Sequence, residues 1–179
     1  MSRKRRPPEE RPPMDRDAAE RLALFYVGRY ATTRARLRSY LARKLRERGA
    51  DGPVDVDAIV ERIAALGYVD DAGFARSRAA ALGRRGFGVR RVTDTLRAAG
   101  IEEDDRHEAV ADLSAAETAI AFARRKRIGP FATEKAPPDA ERKLFAAFAR
   151  AGHGFAIAKR LIDSEPGDMS LVQELLQDG

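Results

Sequence analysis

Ser114, His107 and Asp112 are the types from which a hydrolase assembles a nucleophile, a base and the carboxylate that orients it. Here they crowd into one stretch, and Ser114 opens Ser114-Ala-Ala-Glu117, the capping-box pattern that starts a helix. The cap accounts for Ser114, and His107 reads as an exposed helix position. No catalytic residue is assigned, and the chain is not expected to be an enzyme. Cysteine is absent and histidine is limited to His107 and His153. Thiolate chemistry, disulfides and Cys/His-rich metal centres are thereby excluded. No cofactor or metal is expected.

Gly86-Phe87-Gly88 poses the second chemical question, because arginines flank it: Arg84, Arg85, Arg90 and Arg91. A nucleotide loop would need a preceding strand and a complete glycine pattern, and neither is present. The stretch reads instead as a corner between two helices. Gly83 and Gly86 end one helix, Phe87 is an apolar plug, and Gly88 enters the next. The flanking guanidinium groups retain the fork geometry that suits phosphate or carboxylate.

These residues must be positioned by helices. Alanine, leucine and arginine dominate, and apolar residues recur at helical spacing: Leu37, Leu41 and Leu45; Ile59, Ile63 and Leu66; Val89, Val92 and Leu96; Leu144 and Phe148; Ile157 and Leu161. No alternating strand pattern appears. Gly49, Gly67, Gly100 and Gly152 each follow a periodic segment, where a left-handed C-cap belongs. Asp55, and Asp70 or Asp71, suit N-caps. The fold class is all-α.

The chain also matches itself at a shift of about 50 residues, the upper range of helical repeats. Leu41, Leu45 and Gly49 align with Val92, Leu96 and Gly100, and again with Leu144, Phe148 and Gly152. Three tandem three-helix repeats forming an elongated, curved array follow: 18–69, 70–113 and 114–164. Residues 1–17 read as a disordered, basic, proline-rich tail without a secretory leader's apolar core, and 165–179 as an acidic segment. No apolar run approaches the ~18 residues that span a bilayer.

Charge follows the repeats within a net of +6. Arg29–Gly49 and Arg76–Gly100 are basic, while Asp51–Asp71 and Ile101–Glu117 are acidic. In the third repeat the bases come early, at Arg124, Arg125, Lys126 and Arg127. Basic and acidic helices could simply pair across the surface, at ~0–1 kcal/mol per exposed pair. The alternative is a basic stripe aimed at a polyanion or an acidic protein groove. Asp55, Asp57 and Glu61 on the helix after the turn would be repelled by phosphates, so sequence-specific duplex reading is not expected.

Residues 66–101, LGYVDDAGFARSRAAALGRRGFGVRRVTDTLRAAGI, resemble the central repeat of the RecX family, regulators of the RecA recombinase. Gly67-Tyr68-Val69-Asp70-Asp71, Phe74-Ala75, Gly86-Phe87-Gly88, Leu96 and Gly100-Ile101 carry the likeness, and 40–49 resembles the end of that family's first repeat. The chain departs from the pattern at Ala72-Gly73, where a charged pair is expected. It departs again at Ala151-Gly152-His153-Gly154-Phe155, where an arginine-rich turn is expected.

The resemblance implies a fold of three tandem three-helix repeats and binding along the groove of the RecA–single-stranded-DNA filament; the protein is expected to be a cytoplasmic, non-enzymatic monomer. The resemblance also implies suppression of strand exchange, ATP hydrolysis and co-protease activity. Single-stranded DNA is a partner, directly or through RecA, and no membrane is. The leading contact candidates are Arg84, Arg85, Arg90, Arg91 and Arg97, extended by Arg36, Arg38, Arg43 and Lys44 and by the Arg124, Arg125, Lys126 and Arg127 cluster. Tyr68, Phe74 and Phe87 are expected in the core or at corners. The alternative function is a helical nucleic-acid-binding module that acts without RecA.

Overall fold

The computed structural model describes residues 12–177. Those residues are all-helical: α1 (Arg16–Val27), α2 (Arg34–Arg48), α3 (Val56–Ala65), α4 (Asp71–Arg84), α5 (Val89–Ala98), α6 (Glu103–Ala111), α7 (Ala115–Lys126), α8 (Pro138–Ala151), α9 (Phe155–Asp163) and α10 (Met169–Gln177). One 3-10 turn, Gly129–Phe131, follows α7. An isolated bridge between Met14 and Ala50 is the one β-type pairing among the described residues.

Local chemistry sets the helix ends. Gly49, Gly67, Gly100 and Gly152 all take positive φ, between 74° and 92°, which a residue with a Cβ adopts at a cost. Ser114 Oγ accepts from the Glu117 N–H at 3.1 Å, and Asp55 accepts from the Ala58 N–H at 3.0 Å. The Asp70-Asp71 pair divides its labour. Asp70 accepts from the Gly73 N–H at 2.9 Å and caps its own helix, α4. Asp71 is buried and accepts from the Arg34 N–H at 3.0 Å, so it caps α2 from outside. Thr33 completes that helix start: its Oγ1 accepts from the Arg36 N–H and donates to the Ala99 carbonyl.

The chain divides into two compact units, Met1–Phe74 with Ala99–Ile101, and Ala75–Ala98 with Glu102–Gly179. In the first unit α1, α2 and α3 pack around Leu37, Leu41, Ile59, Val60 and Ile63. Leu66 does not join them; it caps α3 and is exposed, while Val60 and Ala64 fill the inward face. In the second unit α7, α8, α9 and α10 enclose Phe122, Phe148, Leu161, Val172 and Leu175. Each such side chain contributes roughly 1.5–3 kcal/mol on burial. Acidic α6 packs on α5 but buries no residue fully.

The N-terminus departs from the sequence-based expectation. Residues 1–11 of the expected tail lie outside the described residues. Its remainder is structured: Met14 is fully buried, its N–H donates to the Gly49 carbonyl at 2.9 Å, and Asp15 caps α1. One apolar anchor among prolines and charges is invisible to composition. At the other end α10 forms because Leu171, Val172 and Leu175 share a face, two of them buried, despite the acids around them.

Candidate functional site

Gly86-Phe87-Gly88 is a corner where backbones meet. A Cβ on Gly86 would lie 2.8 Å from Phe122 Cα, and one on Gly88 would lie 2.7 Å from the carbonyl carbon of Gly152. The Gly88 N–H donates to the Ala151 carbonyl at 2.8 Å. His153 locks the corner. Its Nε2–H donates to the Gly86 carbonyl at 3.0 Å, and its ring lies beside Phe122 and Phe148. Burial pushes the imidazole below its ordinary value, outweighing the opposing hydrogen bond, so it is neutral near pH 7.

This corner sets Gly86 against α7 and the start of α5 against the end of α8, and an open groove of about 620 Å³ lies there. Arg90, Arg91, Arg125, Lys126 and Arg150 supply its cations, and Phe87 and Phe122 part of its floor. Asp94 is the acid on its wall, paired with Arg97 at 3.1 Å. Arg85 and Arg125 both stand over the Phe87 ring, 5.4 Å from its centroid. Arg90 and Arg91 occupy the first turn of α5, which contains no acid. Cations at a helix N-terminus oppose the macrodipole by ~0.3–1 kcal/mol each. An anion bound there would relieve both charges and dipole.

The sequence-based candidates therefore separate. Arg90 and Arg91 meet Arg125 and Lys126 in one groove, which two distant stretches of sequence did not reveal. Arg85 joins through Phe87. Arg84, exposed at the end of α4, is not among the groove's lining residues. Arg97 points its charge at Asp94. Arg124 stacks over Phe131 at 5.0 Å, and Arg127 takes the left-handed cap of α7, φ 54°, beside a separate small cavity. Arg150 was missed because a base in a last helical turn reads as an ordinary dipole partner.

On the first unit the basic helix α2 has two faces. Arg34 and Arg38, one turn apart, face α3: Arg34 lies 3.5 Å from Glu61 and 3.7 Å from Asp71, and Arg38 pairs with Asp57 and Glu61. Surface pairing accounts for these two, and Arg76 with Glu108 behaves likewise. Arg36, Arg43, Lys44 and Arg46 line a second groove, of about 760 Å³, with Phe25, Tyr26, Tyr30 and Tyr40. Tyr26 stacks on Tyr40 at 4.1 Å. Arg43 stands over Tyr40 at 5.7 Å, and Arg36 over half-buried Phe74 at 5.3 Å. Burial, and then Tyr26, push the Tyr40 hydroxyl above its ordinary value, so it remains protonated. Glu47 pairs with both Arg43 and Lys44. Tyr68 is exposed at the corner after α3.

Comparison with curated proteins settles the family. The chain is 35% identical over 160 residues, 82% of its length and 85% of the relative's, to a Regulatory protein RecX of Myxococcus xanthus. The chain belongs to the RecX family. Further members named Regulatory protein RecX, from Agrobacterium fabrum (29% identity, covering 80% of this chain and 81% of the relative) and Thermobifida fusca (34%, covering 76% and 75%), match comparably. No protein-family model and no solved structure matches. The residues quoted for the RecX resemblance include those that build the corner: Gly86 and Gly88 at the close approach, Phe87 under two arginines, and Asp70-Asp71 at two helix starts. The described helices are too short or too polar to cross a membrane.

Proposed function

We propose that this chain is a cytoplasmic, non-enzymatic regulator that binds the RecA–single-stranded-DNA filament and inhibits its recombinase, ATPase and co-protease activities. Its helices would act as three tandem repeats. The observation that carries the proposal is the second unit's groove, where Arg90, Arg91, Arg125, Lys126 and Arg150 converge around a single paired acid. Such a concentration of forked and point cations suits the phosphates of a nucleoprotein filament or carboxylates on its surface. Family membership supplies the partner: the relatives are named regulatory proteins, and RecA is what the RecX name points to.

The test is RecA ATPase on single-stranded DNA with the protein titrated in. Inhibition is expected. Unchanged hydrolysis at every ratio rejects the proposal. A stand-alone nucleic-acid-binding module is favoured by one feature, the exposed aromatics of the first unit's groove. It wins if the chain binds DNA tightly at physiological salt and RecA adds nothing.

A further inference from the structure

We infer that the groove of the first unit is a stacking site for unpaired nucleobases, so that this protein contacts single-stranded nucleic acid through its bases as well as its phosphates. Phe25 and Tyr30 are 59% and 55% exposed, an unusual state for large rings flanking a structured groove. They do not lie there as a greasy patch. Tyr30 leans on Tyr26 at 5.2 Å, and Tyr26 stacks on Tyr40, so the rings form a supported shelf. Tyr26 and Tyr40 cover each other, while Phe25 and Tyr30 keep more than half of their surface open to solvent.

Cations border the shelf. Arg36, Arg43, Lys44 and Arg46 line the same groove, and Arg29 lies over Phe25 at 5.5 Å. Flat π faces interleaved with a row of positive charge are what an unpaired strand requires: bases stack on the rings and phosphates meet the cations. An apolar peptide would bring no anion to these cations, of which Arg43 and Lys44 already share Glu47. Acidic side chains would satisfy them but bring no aromatic face for the rings to stack on. A duplex keeps its bases stacked inside and offers none to the shelf. The occupant that uses both features is a single strand.

The inference rests on the filament proposal only for the class of partner, and it is tested without RecA, so either can fail while the other stands. The chain has no tryptophan, and three of its four tyrosines line this groove, so tyrosine fluorescence reports on it directly. The full chain is titrated with oligothymidylate and with an abasic oligomer of equal length and charge. Oligothymidylate should quench the signal and bind more tightly, by about 5- to 150-fold per base stacked. Tyr30→Ala and Phe25→Ala, both at exposed positions, should remove most of that advantage and leave abasic binding unchanged, while Tyr30→Phe retains it. Iodouracil-substituted oligomer should photocrosslink to Phe25, Tyr30 or Tyr40 in the unaltered chain. Equal affinity for the two oligomers would overturn the inference. So would crosslinks confined to the second unit, or polyglutamate that binds more tightly than oligothymidylate and loses affinity in the same variants.

Discussion

The grooves of the two units have the same charge and different walls. In the first, α2 presents Arg36, Arg43, Lys44 and Arg46 beside stacked tyrosines, and Glu47 offsets part of the charge. In the second, α5, α7 and α8 each bring cations, and the aromatic floor of Phe87 and Phe122 lies beneath arginines. One is an aromatic shelf edged with charge; the other is concentrated charge braced by aromatics. The difference predicts a division of work. The second groove should grip an anionic surface with a steep dependence on salt, and the first should grip bases with a shallow one.

The largest effect should come from loosening the corner that gathers the second groove's cations. Gly152→Ala places a Cβ against the backbone N of Arg91 at a φ of 92°. Left-handed strain and overpacking together cost roughly 2–4 kcal/mol, to be read from urea denaturation. Gly154, with nothing near its absent Cβ, is the control and should tolerate alanine. Next is a charge test. Arg125→Glu with Lys126→Glu should weaken filament binding about tenfold, the lower end of what one charge-assisted hydrogen bond contributes. Arg38→Glu should change it little, because Arg38 already faces Asp57 and Glu61.

A smaller, pH-dependent effect separates the units. His153 titrates below its ordinary value of 6.5 when folded, so the unfolded chain takes up its proton first. Its contribution is fully present above pH 6.5 and is lost as pH falls through the lowered folded value. Acidification from pH 7 should therefore destabilise the second unit in the wild type. His153→Gln should flatten that slope in denaturation measured against pH. The smallest effect is a gain: Arg127→Gly relieves a left-handed non-glycine residue and should add about 0.5–1 kcal/mol. Filament binding should survive it, since Arg127 lies outside the cationic groove.

Much of this was legible in the sequence, for local reasons. Gly49, Gly67, Gly100 and Gly152 announced helix ends because only glycine enters the left-handed region cheaply, and Ser114 and Asp55 announced starts. Leu37, Leu41, Val92 and Leu96 announced inward faces. What escaped depends on contacts between distant segments. Nothing near Met14 in sequence indicates that it would seal a core against Gly49 and Ala50. The split of α2 into a paired face and a groove face depends on where α3 puts Asp57 and Glu61. Arg90 and Arg125 converge through the packing of Gly86 on Phe122 and of Gly88 on Gly152. The tyrosine shelf went unseen because the packing of α1 on α2 is what brings Tyr26 against Tyr40, with Tyr30 beside it.

The central claim is that the second groove is the contact with the filament. Co-sedimentation of Arg90→Glu with Arg91→Glu tests it most directly, with helicity checked by circular dichroism. The wild-type chain should pellet with RecA filaments on single-stranded DNA and remain in the supernatant with free RecA. The doubly reversed chain, still helical, should lose on the order of 10- to 100-fold in affinity and stay largely in the supernatant. A folded variant that pellets as the wild type does would contradict the account.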